Sequence, residues 1–149
     1  MTTIAYKDGI IAYDSRMTQG PTIVDDDHEK MAEREGHCFF ACGCLADIDM
    51  LIDLFFGKTF DLDRDYNVAA FIVTPEGELW QASIDMEDKT FWKHKRRLDN
   101  CWAMGSGADH ALTAMDMGAD AVTAVRMAIR RDTGSGGKIR RFIIGQGFA

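Results

Sequence analysis

Residues 2–16 read TTIAYKDGIIAYDSR. Two short apolar runs flank Asp8-Gly9, a dipeptide that tolerates positive φ at a tight turn, so the stretch reads as a β-hairpin. A turn at that place returns Thr2 and Thr3 close to Asp14 and Ser15 across the ladder. One strand pair thus gathers hydroxyls, a carboxylate and, were Thr2 the first residue, an α-amine. An amine with an intrinsic pKa of about 8 can act as a base, and a Thr with its own amine as base is a known nucleophile arrangement.

Outward from this hairpin, the chain alternates clusters of strands with helices. MTQGPTIVDDD is a loop or a second irregular ribbon, and HCFFACGC is a strand broken at Gly43. LADIDMLIDLFF changes period. Ile48, Leu51, Ile52 and Phe55 fall at helical spacing, Asp47, Asp49 and Asp53 lie largely elsewhere on the wheel, and Gly57 stops the helix. NVAAFIVTPEGELWQASID is a second hairpin turning at Pro75-Glu76-Gly77, with KTFWKH and NCWAM as further strands. A helix begins after Ser106 with Ala108, Ala111, Leu112 and Met115 as its stripe and Gly118 as its end. Asp120 caps the next helix, whose Val122, Val125 and Ile129 face the core, and KIRRFIIG closes as a strand. Strands clustered by hairpins with helices between the clusters predict an α+β fold of antiparallel sheets under helical layers.

The chain has 149 residues and a net charge of −7, which fits one domain and argues against nucleic acid as the main partner. No apolar run is long enough to span a bilayer, and the N-terminus lacks the pattern of a signal peptide, so no membrane association and a cytoplasmic location are expected. The basic cluster KHKRRL (93–98) reads as a solvated face. The acidic run VDDDHE (24–29) lacks the glycine-spaced loop of a calcium site. Cys38, Phe40, Cys42 and Cys44 alternate as one face of a strand does, which predicts buried core thiols rather than a zinc cluster. A Cys/His metal module is a remote alternative. Gly105-Ser106-Gly107 is too short for a dinucleotide fingerprint, and Ser106 by itself reads as a helix N-cap.

Taken in order, TTIAYKDGIIAYDSR, DHEKM, CGCLAD, AMGSGADHALTAM and RRDTGSGGKI resemble the successive motifs of proteasome β-type subunits and the HslV peptidases, which are N-terminal-nucleophile hydrolases. The chain is also similar to short phage- and prophage-encoded members of this group. The resemblance implies a single domain over 1–149 with an αββα four-layer sandwich of two antiparallel sheets. Only GKTFDLDRDY lies where the family places a second long helix, so the first helical layer is expected to be reduced. The first hairpin is shorter than the family's by about two residues, an even change that keeps each side chain on its face.

Carried over by position, the resemblance makes Thr2 the nucleophile once Met1 is removed. It sets Lys30 beside Thr2 and pairs Asp14 with Lys30. Ser106, Asp132 and Ser135 orient the amine and a proton-relay water, and the Gly43 N–H supplies the oxyanion hole. Thr18 pairs with an extended substrate backbone, and Met17, His28, Ala41 and Leu45 line the first substrate pocket. The implied activity is threonine-type peptide hydrolysis through an acyl-enzyme, with no metal and no organic cofactor. The implied partners are a peptide or unfolded protein as substrate, further copies of the chain in a ring, and an ATP-dependent unfoldase, in host cytoplasm if the chain is phage-encoded. The alternatives are a catalytically silent assembly subunit that keeps Met1, and an amidase acting on a small non-peptide amide.

Overall fold

The computed structural model describes residues 2–148; Met1, and with it the expected removal of that residue, lies outside them. In chain order the elements are β1 (Ile4–Lys7), β2 (Ile10–Tyr13), β3 (Met17–Gln19), β4 (Thr22–Asp25), β5 (Met31–Arg34) and β6 (His37–Gly43). Then come α1 (Leu45–Phe55), β7 (Val68–Val73), β8 (Leu79–Ile84), β9 (Phe91–Arg96) and β10 (Trp102–Met104). α2 (Ala108–Asp116), α3 (Ala121–Arg131), β11 (Arg140–Ile143) and β12 (Gly147–Phe148) complete the order. The chain divides into two compact units, Met1–Lys30 with Arg97–Ala149, and Met31–Arg96. No helix among the described residues is long and apolar enough to cross a membrane.

The first unit is built on the opening hairpin. Asp8 and Gly9 both have positive φ (51° and 81°), and β1 pairs with β2 from Ile4↔Tyr13 to Lys7↔Ile10. β10 joins the far side of β1 and β11 the far side of β2, giving the antiparallel order β10-β1-β2-β11-β12. Ala5 and Ala12 face α2 and α3, which bring Ala111, Met115, Ala121, Ala124, Val125 and Ala128 to the same cluster. The stripe expected on α3 is therefore rotated: Val122 and Ile129 lie half-buried at its margin, and alanines fill its centre. Small residues on both sides let the helices approach the sheet closely. The expected ribbon forms as β3-β4, with a register shift between Met17 and Thr18. Asp120 caps α3 by accepting from the Thr123 N–H (2.7 Å).

The second unit is an antiparallel sheet in the order β5-β6-β7-β8-β9 with α1 on one face. β5 was not legible as a strand, since MAER (31–34) carries no apolar alternation; it pairs with β6 across a turn where Glu35 and Gly36 have positive φ. Phe39, Ala41, Leu51, Ile52, Phe55, Val68 and Ile72 share the core beneath α1. Asp47 departs from the expected polar face: it is buried, accepts from Arg64 (2.7 Å) and the Asn67 N–H (3.3 Å), and so ties down the helix-free stretch 58–67. The expectation of buried thiols is corrected. Cys38, Cys42 and Cys101 are half-buried, and Cys44 is exposed, because it lies past the end of β6 as the N-cap residue of α1. His37 packs edge-on against the rings of Phe55 and Phe56 (centroids 5.9 and 4.9 Å), and among the described residues no group of three acids, cysteines or histidines is placed to hold a metal.

Candidate active site

The first unit gathers six of the singled-out residues at one end of its sheet. One step beyond the last ladder pair of β1 and β2, Thr3 and Asp14 face each other: the Asp14 N–H donates to Thr3 O (3.2 Å), and the Thr3 N–H donates to Asp14 Oδ1 (3.0 Å). Asp14 is wholly buried. Its Oδ1 also accepts from Lys30 Nζ (2.8 Å), and its Oδ2 accepts from the backbone N–H groups of Gly136 (2.9 Å) and Arg16 (3.3 Å). Four donors thus hold the carboxylate in one orientation, as a buried charge requires. Lys30 is itself nearly enclosed, with 5% of its side chain exposed, and donates from Nζ to Thr2 Oγ1 (2.9 Å) as well. A single ammonium therefore bridges a buried carboxylate and a buried hydroxyl.

The other polar end of Thr2 belongs to a second chain of bonds. The Thr2 N–H donates to Ser106 Oγ (3.2 Å), and Ser106 Oγ donates to Asp132 Oδ2 (2.5 Å). Ser135 Oγ donates to the same Oδ2 (2.6 Å) and lies 2.7 Å from Thr3 Oγ1. Burial pushes the Asp132 carboxyl up. The bonds from Ser106, Ser135 and the Gly134 N–H, with His110 nearby, outweigh it and hold Asp132 below the usual carboxylate range. Ser106 is not the helix cap that its position suggests. Gly107 is the N-cap residue of α2, and the Ser106 hydroxyl is given to Asp132. Asp132 is also the C-cap residue of α3, so the helix end and the polar cluster share one residue.

Glycines make this packing possible. Gly105 has φ +96°, and a Cβ there would fall 2.0 Å from the Thr2 carbonyl oxygen. A Cβ on Gly107 would fall 1.9 Å from Thr3 Oγ1. Only residues without a side chain admit the first two threonines so close to the strand-to-helix turn.

The remaining candidates are placed elsewhere. Met17 and Thr18 are half-buried on β3, and His28 is half-buried with its N–H bonded to Ser15 O (2.9 Å). Gly43, Ala41 and Leu45 belong to the second unit. Gly43 has φ +106°, and a Cβ there would fall 2.1 Å from Asn67 O; Ala41 is buried in the core under α1, and Leu45 is the exposed first residue of that helix. Three acids of the run 24–29 are engaged by arginines: Arg16 binds Asp26 through Nε (2.8 Å) and Nη2 (3.1 Å), and Arg140 binds Asp27 (2.6 Å) and Glu29 (3.3 Å), while Asp25 accepts from the Asp27 N–H (2.8 Å). Sequence reasoning assigned no role to Arg140 or Glu29, or to the hydroxyl of Thr3. The one available signal was the pairing of an arginine with an apolar strand, which is uncommon unless the charge is answered.

No family model matches the chain. No curated protein matches it either. Among solved structures, the Thiobacillus denitrificans protein BPH in complex with epoxomicin superposes with a TM-score of 0.68 at 19% identity, covering 99% of this chain and 98% of that one. The likeness is one of fold. A second structure of Thiobacillus denitrificans BPH gives a TM-score of 0.66 at the same identity and coverage. The overlap runs nearly end to end along both chains rather than over one shared motif.

Proposed function

We propose that this chain is a threonine-type peptidase whose nucleophile is Thr2 Oγ1 and whose general base is the α-amine of the same residue, freed by removal of Met1. The observation that carries the reading is the buried Lys30 ammonium, 2.9 Å from Thr2 Oγ1 and 2.8 Å from Asp14 Oδ1. Burying an ion pair is costly and contributes little net stability, so its presence against a hydroxyl asks for a chemical reason. The fold shared with BPH supports the reading, since one structure of that protein holds epoxomicin, a proteasome inhibitor.

In this scheme Thr2 Oγ1 attacks the scissile carbonyl carbon and its proton passes to the neutral α-amine. The amine then protonates the leaving nitrogen, and the C–N bond breaks to leave an ester on Thr2. Water attacks the ester, gives its proton to the amine, and releases the acid with the hydroxyl restored. The Lys30 ammonium stabilises charge on Oγ1 and disfavours a protonated amine nearby. Asp14 pairs with that ammonium and holds it in place. Ser106 donates to Asp132, which leaves its lone pairs facing the Thr2 nitrogen and orients the amine. The Gly43 N–H as oxyanion donor, Thr18 as the substrate-backbone partner, and the pocket of Met17, His28, Ala41 and Leu45 enter the proposal on the family resemblance. So do the αββα sandwich, the ring of further copies and the unfoldase.

Intact mass of the purified chain and cleavage of fluorogenic peptides test the proposal. We expect a chain beginning at Thr2, turnover abolished in Thr2→Ala, and a stoichiometric epoxomicin adduct on Thr2. Undiminished turnover in Thr2→Ala refutes the mechanism. Met1 retained throughout, with no turnover, supports the silent assembly subunit instead.

A further inference from the structure

Lys30 is preceded by residues 26–29, which belong to no strand or helix. Such a segment has no ladder to fix it, yet the ammonium it carries must sit within hydrogen-bond reach of two buried groups. Beyond the His28 N–H bond to Ser15 O (2.9 Å) and the Arg16–Asp26 pair (2.8 Å), Arg140, on β11, supplies the side-chain constraint on residues 27–29. Its Nη1 donates to His28 O (3.1 Å) and to Ser15 Oγ (2.5 Å), which in turn donates to Lys138 O (2.5 Å). Its Nη2 binds Asp27 Oδ1 (2.6 Å), and its Nε pairs with Glu29 Oε2 (3.3 Å). All three nitrogens of one guanidinium are spent on this segment and on the strand end that carries Asp14.

The register explains why this arginine can do so. Arg140 is the ladder partner of Tyr13, so their side chains leave the sheet on the same face. Tyr13 donates from its hydroxyl to Glu29 Oε1 (2.7 Å). The residue next to Lys30 therefore has one carboxylate oxygen held by Tyr13 and the other by Arg140. The arginine charge is answered by Asp27 and Glu29, so its effect on Thr2 is geometric rather than through its field. We propose that Arg140 is the positioning residue of this site: it clamps residues 27–29 to β2 and β11 and thereby delivers Lys30 Nζ to Thr2 Oγ1. The inference rests on the peptidase reading for its kinetic consequence, but not for its geometry.

The test uses the full chain with Met1 removed. Displacing a catalytic group by about 1 Å can cost about 100-fold, so Arg140→Met is expected to lower kcat by roughly 10- to 100-fold with KM within about twofold. Arg140→Lys keeps the charge but not the planar fork and is expected to recover little of that loss. In a Lys30→Met background, Arg140→Met is expected to cost nothing further, because the group it positions is gone. An unchanged kcat in Arg140→Met, or the same loss with and without Lys30, overturns the proposal. If Arg140→Met does not fold, Glu29→Gln, which breaks the ion pair beside Lys30, is read in the same cycle with the same criteria. If the unaltered chain cleaves nothing, the peptidase reading fails and NMR of ε-carbon-labelled lysine decides the clamp. The Lys30 signal, identified by its loss in Lys30→Met, is expected to move toward the exposed lysines in Arg140→Met, and an unmoved signal overturns the clamp by itself.

Discussion

Asp14→Asn changes no volume and removes one charge, so its effect can be worked from the bonds it disturbs. Asp14 Oδ1 serves the Thr3 N–H and Lys30 Nζ, and Oδ2 serves the N–H groups of Arg16 and Gly136. Asparagine has one acceptor oxygen. Whichever way the amide turns, its NH2 meets two donors, and the buried Lys30 ammonium loses the carboxylate 2.8 Å away. Breaking a buried pair from one side costs about 3–5 kcal/mol, a large part of the roughly 5–15 kcal/mol that holds a domain together. With a urea slope of about 2 kcal/mol per molar, the midpoint falls by about 2 M. Lys30→Met is expected to cost less, because Asp14 keeps its three backbone donors. The double variant is expected to be more stable than Asp14→Asn alone, with a coupling of about 1–3 kcal/mol, since the ammonium that faced the lost carboxylate has been removed. Urea unfolding of the four proteins gives the cycle. Costs that simply add, with coupling below about 0.5 kcal/mol, refute the claim that these two residues form one buried unit.

Two further outcomes follow from the same cluster. Gly105→Ala places a methyl group 2.0 Å from the Thr2 carbonyl oxygen at a φ of +96°, so we expect a loss of at least about 2 kcal/mol in chemical unfolding, together with loss of peptide turnover as Thr2 is displaced. Asp132 is held below the usual carboxylate range because the bonds from Ser106, Ser135 and Gly134 outweigh its burial. Its unfolded form binds protons more readily than its folded form, so its contribution is complete well above the unfolded value of about 3.9 and is lost as pH falls through the lower folded value. Asp132→Asn is therefore expected to flatten part of the acid limb of a stability-against-pH curve and to leave the slope above about pH 6 unchanged; an unaltered acid limb counts against the assignment.

Much of the fold was legible because local signals and tertiary packing agreed. The turn at Asp8-Gly9 sets the register of β1 and β2, and that register alone brings Thr3 opposite Asp14. The ends of α1 and α2 followed from Gly57 and Gly118, both at positive φ. The strand β5 was missed because MAER has no period-two pattern and is a strand only through its partner β6. Of the stripe placed on Val122, Val125 and Ile129, Val125 is buried in the core, whereas close approach of the helix to the sheet puts Ala121, Ala124 and Ala128 beside it in place of Val122 and Ile129. Buried Asp47 was read as surface because its partners, Arg64 and Asn67, come from a stretch without periodicity.

By itself the sequence determined most of the elements, their order and the residue types that could do chemistry, because turn residues and hydrophobic period act over a few neighbours. Local pattern did not determine which hydroxyl, acid and ammonium meet; only the family resemblance named them. Thr2 and Ser106 are 104 positions apart and Thr3 and Ser135 are 132 apart, and bonds of that span exist only once the sheet order β10-β1-β2-β11 has been chosen. The arginine that holds the lysine segment belongs to this second class. Nothing local distinguishes Arg140 from its neighbour Arg141, and the ladder alone sets the first beside Tyr13 and Glu29.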